Sequence, residues 1–472
     1  MQLVAYGAQD VYLTGNPKVT FFQAVYKRHT NFAMECIQQT VNGSASSNGR
    51  VSVTVARNGD LIGEMFIQLQ SNVCNTFSGV IGNGPSASYT VGSQDSCWLA
   101  ERAIADIELT IGGQRIDKHY QRWWRLYSEL FLSEPAKIKY GKMTSNPNGA
   151  LYAAAGTGGA GNGEVFLPLL FFFNRNAGLY LPLIALQYHE VRLDFDLSGE
   201  YTYCFGQTFN VWGNYVYLDT EERRRFAQKG HEYLIEQVQH TGTDSIFSSS
   251  SGASGSTQMI RLSYNHPVKE LIWCTTNGSS VGKQLWDFTS NSTSTGVILT
   301  TNTNLLDNSQ PGVGSNVTGY VPISYGCGSP LMVYGSNVAI GGVTGISCAT
   351  FTEDGNVFTV NASSGPMASF RLILNGQDRF KDQSGKFFNQ VQPSWHHTGA
   401  PYPGVYCYSF ALKPEEHQPT GTCNFSRIDN SQVSISMKAG LTNGAGSNLD
   451  MYAVNYNVLR IQSGMGGLAF SN

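Results

Sequence analysis

Charge is scarce in this chain. Only 13% of its 472 residues are Asp, Glu, Lys or Arg, against about 25% in ordinary globular proteins. The deficit fits a surface covered by partners, because interface cores are poor in charge; a Ser/Thr/Asn-rich surface would account for it equally well. A net charge of −3 offers no electrostatic grip on nucleic acid. The one basic run, Arg223-Arg224-Arg225, follows Glu221-Glu222 and reads as a solvated helix face. No stretch reaches the ~18 apolar residues of a membrane span. Residues 165–173 are too short, hold Pro168, and read as a buried strand. The opening Met1-Gln2-Leu3-Val4-Ala5-Tyr6-Gly7 lacks the basic and apolar regions of a signal peptide. Nine scattered cysteines form no C-x-x-C, which points to reduced thiols in a cytoplasmic setting. Neither the phosphate-cradling G-x-x-x-x-G-K-[ST] nor the metalloprotease H-E-x-x-H occurs.

Glycine and aromatics are abundant: Gly 52, Tyr 24, Phe 25. With so little charge they point to an all-β chain with many turns, and its length allows two large domains. The same plan occurs twice. Residues 51–66 alternate, turn and run apolar, as do residues 260–273. Ile107-Glu108-Leu109-Thr110-Ile111-Gly112-Gly113-Gln114 is echoed by Phe370-Arg371-Leu372-Ile373-Leu374-Asn375-Gly376-Gln377. Val191-Arg192-Leu193-Asp194-Phe195 is echoed by Val433-Ser434-Ile435-Ser436-Met437. Each echo is a common strand-and-turn pattern; the shared order of the three indicates duplication.

Residues 1–31 read as a separate arm. Asn16 as a cap and Pro17 at the first helical position predict a short helix, with Phe21, Phe22, Val25 and Tyr26 on one side. That face must dock on something, its own domain or a partner. The first β half runs from residue 32 to 219. It holds one good helix, capped by Asp117, with Tyr120, Trp123, Trp124, Tyr127, Leu130 and Phe131 as a core-packing stripe. Asp219 opens a linker helix that Gly230 stops, so residues 220–230 join the halves. The second half, 231–472, starts as a strand at His231 and contains a long polar excursion over 275–319.

Several long blocks carry a family resemblance. Residues 2–17, Thr20-Phe21-Phe22 and Tyr26-Lys27-Arg28-His29-Thr30-Asn31-Phe32-Ala33 resemble the start of the major capsid proteins of nucleocytoplasmic large DNA viruses. So do residues 231–237, 265–273, 408–429, 452–461 and 463–472, and the algal-virus branch is the most similar. The resemblance spans the chain, apart from the loops 141–163 and 276–366. It implies two consecutive eight-stranded antiparallel jelly rolls with a few short helices and long loops. It also implies a homotrimer whose six jelly rolls form a pseudo-hexagonal capsomer tiling an icosahedral shell. Neighbouring capsomers, penton and minor capsid proteins and a nearby inner membrane would be its surroundings, in a virion assembled in the host cytoplasm. No enzyme, cofactor or direct nucleic-acid contact is implied.

A jelly-roll carbohydrate-binding protein or carbohydrate-active enzyme is the rival reading. Jelly-roll oxygenases need converging ligands at H-x-H spacing. His396 and His397 are adjacent and in a strand would face opposite ways; loop hydrogen bonding is the expectation, with no metal site. Asn-x-Ser/Thr occurs at Asn42, Asn277, Asn291, Asn316, Asn361 and Asn424. Asn424 reads as part of a core strand. Asn277, Asn291, Asn316 and Asn361 are the candidate glycan attachment points.

Overall fold

The computed structural model describes residues 7–18, 20–71, 98–144, 163–246, 257–277, 348–353, 356–361, 365–401, 404–438 and 447–470. The first half contributes β1 (Phe32–Gln39), β2 (Val41–Asn42), β3 (Arg50–Thr54), β4 (Leu61–Ser71) and β5 (Ile104–Ile111). It continues with β6 (Gln114–Tyr120), β7 (Gly163–Pro168), β8 (Leu181–Pro182), β9 (Val191–Leu197) and β10 (Phe205–Leu218). The second half contributes β11 (His231–Ile246), β12 (Gln258–Leu262), β13 (Pro267–Asn277), β14 (Cys348–Glu353), β15 (Asn356–Asn361), β16 (Met367–Leu374) and β17 (Gln377–Asp378). β18 (Gln383–Ser384), β19 (Val405–Ser409), β20 (Cys423–Asn424), β21 (Ser431–Met437), β22 (Ser447–Gln462) and β23 (Met465–Leu468) complete it.

Four antiparallel sheets make two stacked pairs. In the first half β1-β10-β4-β7 faces β2-β3-β9-β5-β6; in the second, β11-β22-β13-β19 faces β12-β21-β16-β17. The strand order is the same in both halves, and it is that of a jelly roll. Each sequence echo falls on equivalent strands: β3–β4 with β12–β13, β5–β6 with β16–β17, and β9 with β21. The shared Gly-Gln turn has a physical cause. Gly112 and Gly113 have φ of 58° and 81°, and Asn375 and Gly376 have 50° and 77°. Two successive left-handed residues match a two-residue hairpin to strand twist, and only Gly and Asn adopt them readily.

Burial alternates along β5, where Ile107, Leu109 and Ile111 face the core. Along β13 the alternation vanishes from Leu271 to Cys274, because both faces of that sheet are covered. Leu271 and Trp273 join the second-half core, while Ile272 and Cys274 join the first-half cluster.

Helix α1 (Asp10–Thr14) precedes α2 (Gln121–Phe131) and α3 (Glu134–Thr144). The arm's helix thus lies ahead of Pro17 instead of after it. The Gly15 N–H bonds the Val11 carbonyl and Asn16 turns left-handed at φ 58°, so Gly-Asn-Pro here ends a helix. Asp117 does not cap α2: β6 runs on to Tyr120, held by its pairing with β5. Residues 165–173 divide into the end of β7 and a short helix, Phe172–Arg175. The linker helix Thr220–Gln228 forms as expected, with the Asp219 carboxylate accepting the Thr220 N–H at 2.8 Å.

Candidate functional site: the seam between the halves

Helix α2 belongs to the first half by sequence and to the second by contact. Its aromatic stripe lies on the outer face of the β11-β22-β13-β19 sheet. Trp123 stands 5.8 Å from Tyr452 and Tyr120 4.8 Å from His240, and His240 stacks on Tyr452 at 4.6 Å. Each large side chain fully buried this way stabilises by roughly 1.5–3 kcal/mol. The halves therefore share one continuous apolar cluster.

Buried charges cross the same surface. Asp450 on β22 pairs with Arg122 of α2, accepts the Thr243 hydroxyl at 2.5 Å, and lies 3.5 Å from His240. Burial raises its carboxyl, but His240, Arg122 and Thr243 outweigh burial and hold it below its ordinary value. Glu236 on β11 meets Arg175 of the first half at 3.0 Å and Lys269 at 2.7 Å. Lys269 also donates to the Pro414 carbonyl at 2.7 Å. Burial again pushes Glu236 up, and the two cations bring it below the usual range.

The third contact is a clasp on the end of α2. The Gly399 N–H donates to the Leu130 carbonyl at 3.0 Å, and the Thr398 hydroxyl to that of Phe131 at 3.4 Å. Lys137 of α3 donates back to the Ala400 carbonyl at 3.0 Å. The Gly399 and Thr398 donors satisfy two of the last carbonyls of α2, and Lys137 ties the same loop to α3. His397, fully buried, pairs with Glu270 at 3.0 Å and Glu415 at 3.4 Å. Burial lowers its imidazole, and Glu270, Cys407 and their hydrogen bonds carry it well above its ordinary value. A cation beside a helix C-terminus is also favoured by the helix dipole.

Neither histidine lies in a strand. His396 ends the short helix Gln392–His396 and hydrogen-bonds the Leu412 carbonyl at 3.0 Å, as loop hydrogen bonding predicts. His417 lines a small cavity with Glu236 and Lys269. Among the described residues no three His, Cys, Asp or Glu are grouped to hold a metal.

The arm stands apart from this seam. Phe21 and Phe22 are 93% and 98% exposed, and Val25 and Tyr26 are nearly as open. Their face does not dock on its own domain. Sequence reading missed that Val11, Tyr12 and Leu13 of α1, and Phe32 and Met34 of β1, extend the same exposed apolar stretch. The signal was present in the Phe32/Met34 alternation. β1 is an edge strand of its sheet, and exposed apolar edges are ready for pairing. Of the candidate glycan positions, Asn277 and Asn361 end β13 and β15; Asn291 and Asn316 lie outside the described residues, as does the excursion beyond Asn277. Asn424 is exposed and caps Ser426 at 3.0 Å, so it is not a core residue.

Two family descriptions match the chain: "Major capsid protein N-terminus" over residues 20–219 and "Large eukaryotic DNA virus major capsid protein" over 222–467. The chain is 40% identical to the major capsid protein of Paramecium bursaria Chlorella virus 1, covering 100% of this chain and 99% of that one. It is 39% identical to that of Phaeocystis pouchetii virus, with the same coverage. Among solved structures, PBCV-1 VP54 superposes with a TM-score of 0.69 at 36% identity, over 96% of this chain and 100% of that one. The Faustovirus major capsid protein shares the fold, with a TM-score of 0.59 at 11% identity over 97% and 94% of the two chains.

Proposed function

The chain belongs to the major capsid proteins of large eukaryotic DNA viruses, and from that membership we propose that three copies close into a pseudo-hexagonal capsomer. It is a structural protein of the virion shell, not an enzyme, and the carbohydrate-active reading falls away. The repeated strand order carries the trimer proposal. Two like units per chain give three chains six like units, and a heterologous contact that closes after three copies makes a ring, not a filament. The units are taken as 32–219 and 231–472, joined by 220–230. The seam supports this reading, because six units hold a fixed outline only if the two in each chain cannot swing.

Residues 1–31 then serve as an assembly arm, with Phe21, Phe22, Val25 and Tyr26 covered by neighbouring capsomers, penton or minor capsid proteins, near an inner membrane. Assembly takes place in the host cytoplasm. Light scattering of the full chain is expected to report a trimer, and a chain lacking residues 1–31 to remain trimeric while failing to enter particles. A monomer at micromolar concentration would sink the trimer; loss of trimers on truncation would move the arm into the subunit interface. Asn277, Asn291, Asn316 and Asn361 are proposed to carry glycans on outward loops. Peptide mapping of virion-derived protein is expected to find added sugar mass there, and unmodified peptides at all four would refute it.

A further inference from the structure

A cleft of about 460 Å³ opens along the seam, within the size range of small-ligand sites. One wall is β6 and the other is residues 237–241 of β11 with Asn265 and His266. Both strands are sheet edges. The carboxylate on the wall, Asp117, is already committed. Its Oδ1 accepts the N–H groups of Lys118 at 2.9 Å and Val238 at 3.0 Å, and its Oδ2 faces His119 at 2.9 Å. Lys118 is paired with Asp106 at 3.1 Å.

Two donors remain. Arg115 is exposed, and its guanidinium makes no hydrogen bond or ion pair among the described residues. His266 is only 8% exposed, and its ring has no hydrogen-bond partner among the described residues. Its backbone is held left-handed at φ 65°. The N–H donates to Ser426 Oγ at 2.7 Å and the carbonyl accepts the Phe425 N–H at 3.1 Å. Such a strained conformation recurs at ligand clamps. The His266 ring and the uncommitted Arg115 guanidinium line the same cleft, and a free guanidinium is suited to bidentate contact with phosphate or carboxylate.

We propose that this cleft binds a small anion bearing phosphate or carboxylate groups, with Arg115 supplying the charge and His266 a hydrogen bond. The inference is independent of capsomer stoichiometry. Inorganic pyrophosphate and citrate, titrated separately into the full-length protein by calorimetry near pH 7 at fixed ionic strength, distinguish the two chemistries. Saturable binding of at least one is expected. Arg115→Gln, an exposed change that leaves the fold intact, is expected to weaken it at least tenfold. His266→Asn, which keeps a residue type tolerant of the left-handed region, is expected to weaken it less. No saturable heat with either anion, or equal affinity in Arg115→Gln, would overturn the proposal; the Arg115 variant decides alone if the His266 variant does not fold.

Discussion

Gly399→Val is expected to unfasten the two halves. A Cβ at this position would sit 2.3 Å from the Glu129 carbonyl oxygen, 2.7 Å from that of Leu130 and 2.9 Å from that of Leu132. All three are backbone atoms at the end of a buried helix, so no flexible side chain can give way. The loop must retreat, which breaks the Gly399 bond to Leu130 and takes Thr398 and Ala400 with it. Overpacking and a lost helix cap together cost roughly 3 kcal/mol. Melting followed by tryptophan fluorescence should fall by about 5 °C or more, with Trp123 and Trp124 of α2 reporting from the seam. Gly230→Ala, where the nearest atom is 3.7 Å away, is the control and should melt like the parent. A Gly399→Val protein melting with the control would show that the loop does not grip the helix.

The clasp was not legible in the sequence, while the fold largely was. Strand alternation and Gly-Gln turns depend on neighbours one or two residues away, so all three echoes fell on equivalent strands. Helix boundaries fared worse where one signal serves two purposes. Gly15-Asn16-Pro17 contains both a helix start and a helix stop, and the Gly15 bond to Val11 decides for the stop. Asp117 is a good cap by type, but the pairing of β5 with β6 extends the strand past it and gives its carboxylate to Val238 across the seam. His396 and His397 are adjacent in sequence, yet they take different surroundings. Nothing near them in sequence announces that His397 would lie buried between Glu270 and Glu415. The arm was legible in composition but not in shape.

Removing the Asp450 carboxylate is expected to be the most damaging single change at the seam. Asp450→Ala leaves Arg122, His240 and the Thr243 hydroxyl facing a site with 1% of the original side chain exposed to water. Deleting one member of a buried pair costs about 3–5 kcal/mol, because the survivor stays desolvated and unpaired. The pH profile separates this charge from simple packing. The folded-state value of Asp450 is depressed below its usual 3.8. Its contribution is therefore fully present above about pH 4 and is lost as pH falls through the lower folded value. Asp450→Asn should make that acid limb shallower while lowering stability at neutral pH. The alkaline side has other owners. Burial raises the Glu101 carboxyl to about 7, against Arg125 and Tyr140, so its contribution is whole below about pH 4.5 and lost as pH rises through 7. His397 has a folded value well above its usual 6.5; its contribution is whole below 6.5 and lost as pH rises through the folded value. Melts from about pH 3 to 10 should thus show the parent falling at both ends, Asp450→Asn with a shallower acid limb because the depressed Glu236 still titrates there, and His397→Gln with a shallower limb above pH 7. An Asp450→Asn profile parallel to the parent in acid would show that the carboxylate carries no folded-state charge advantage.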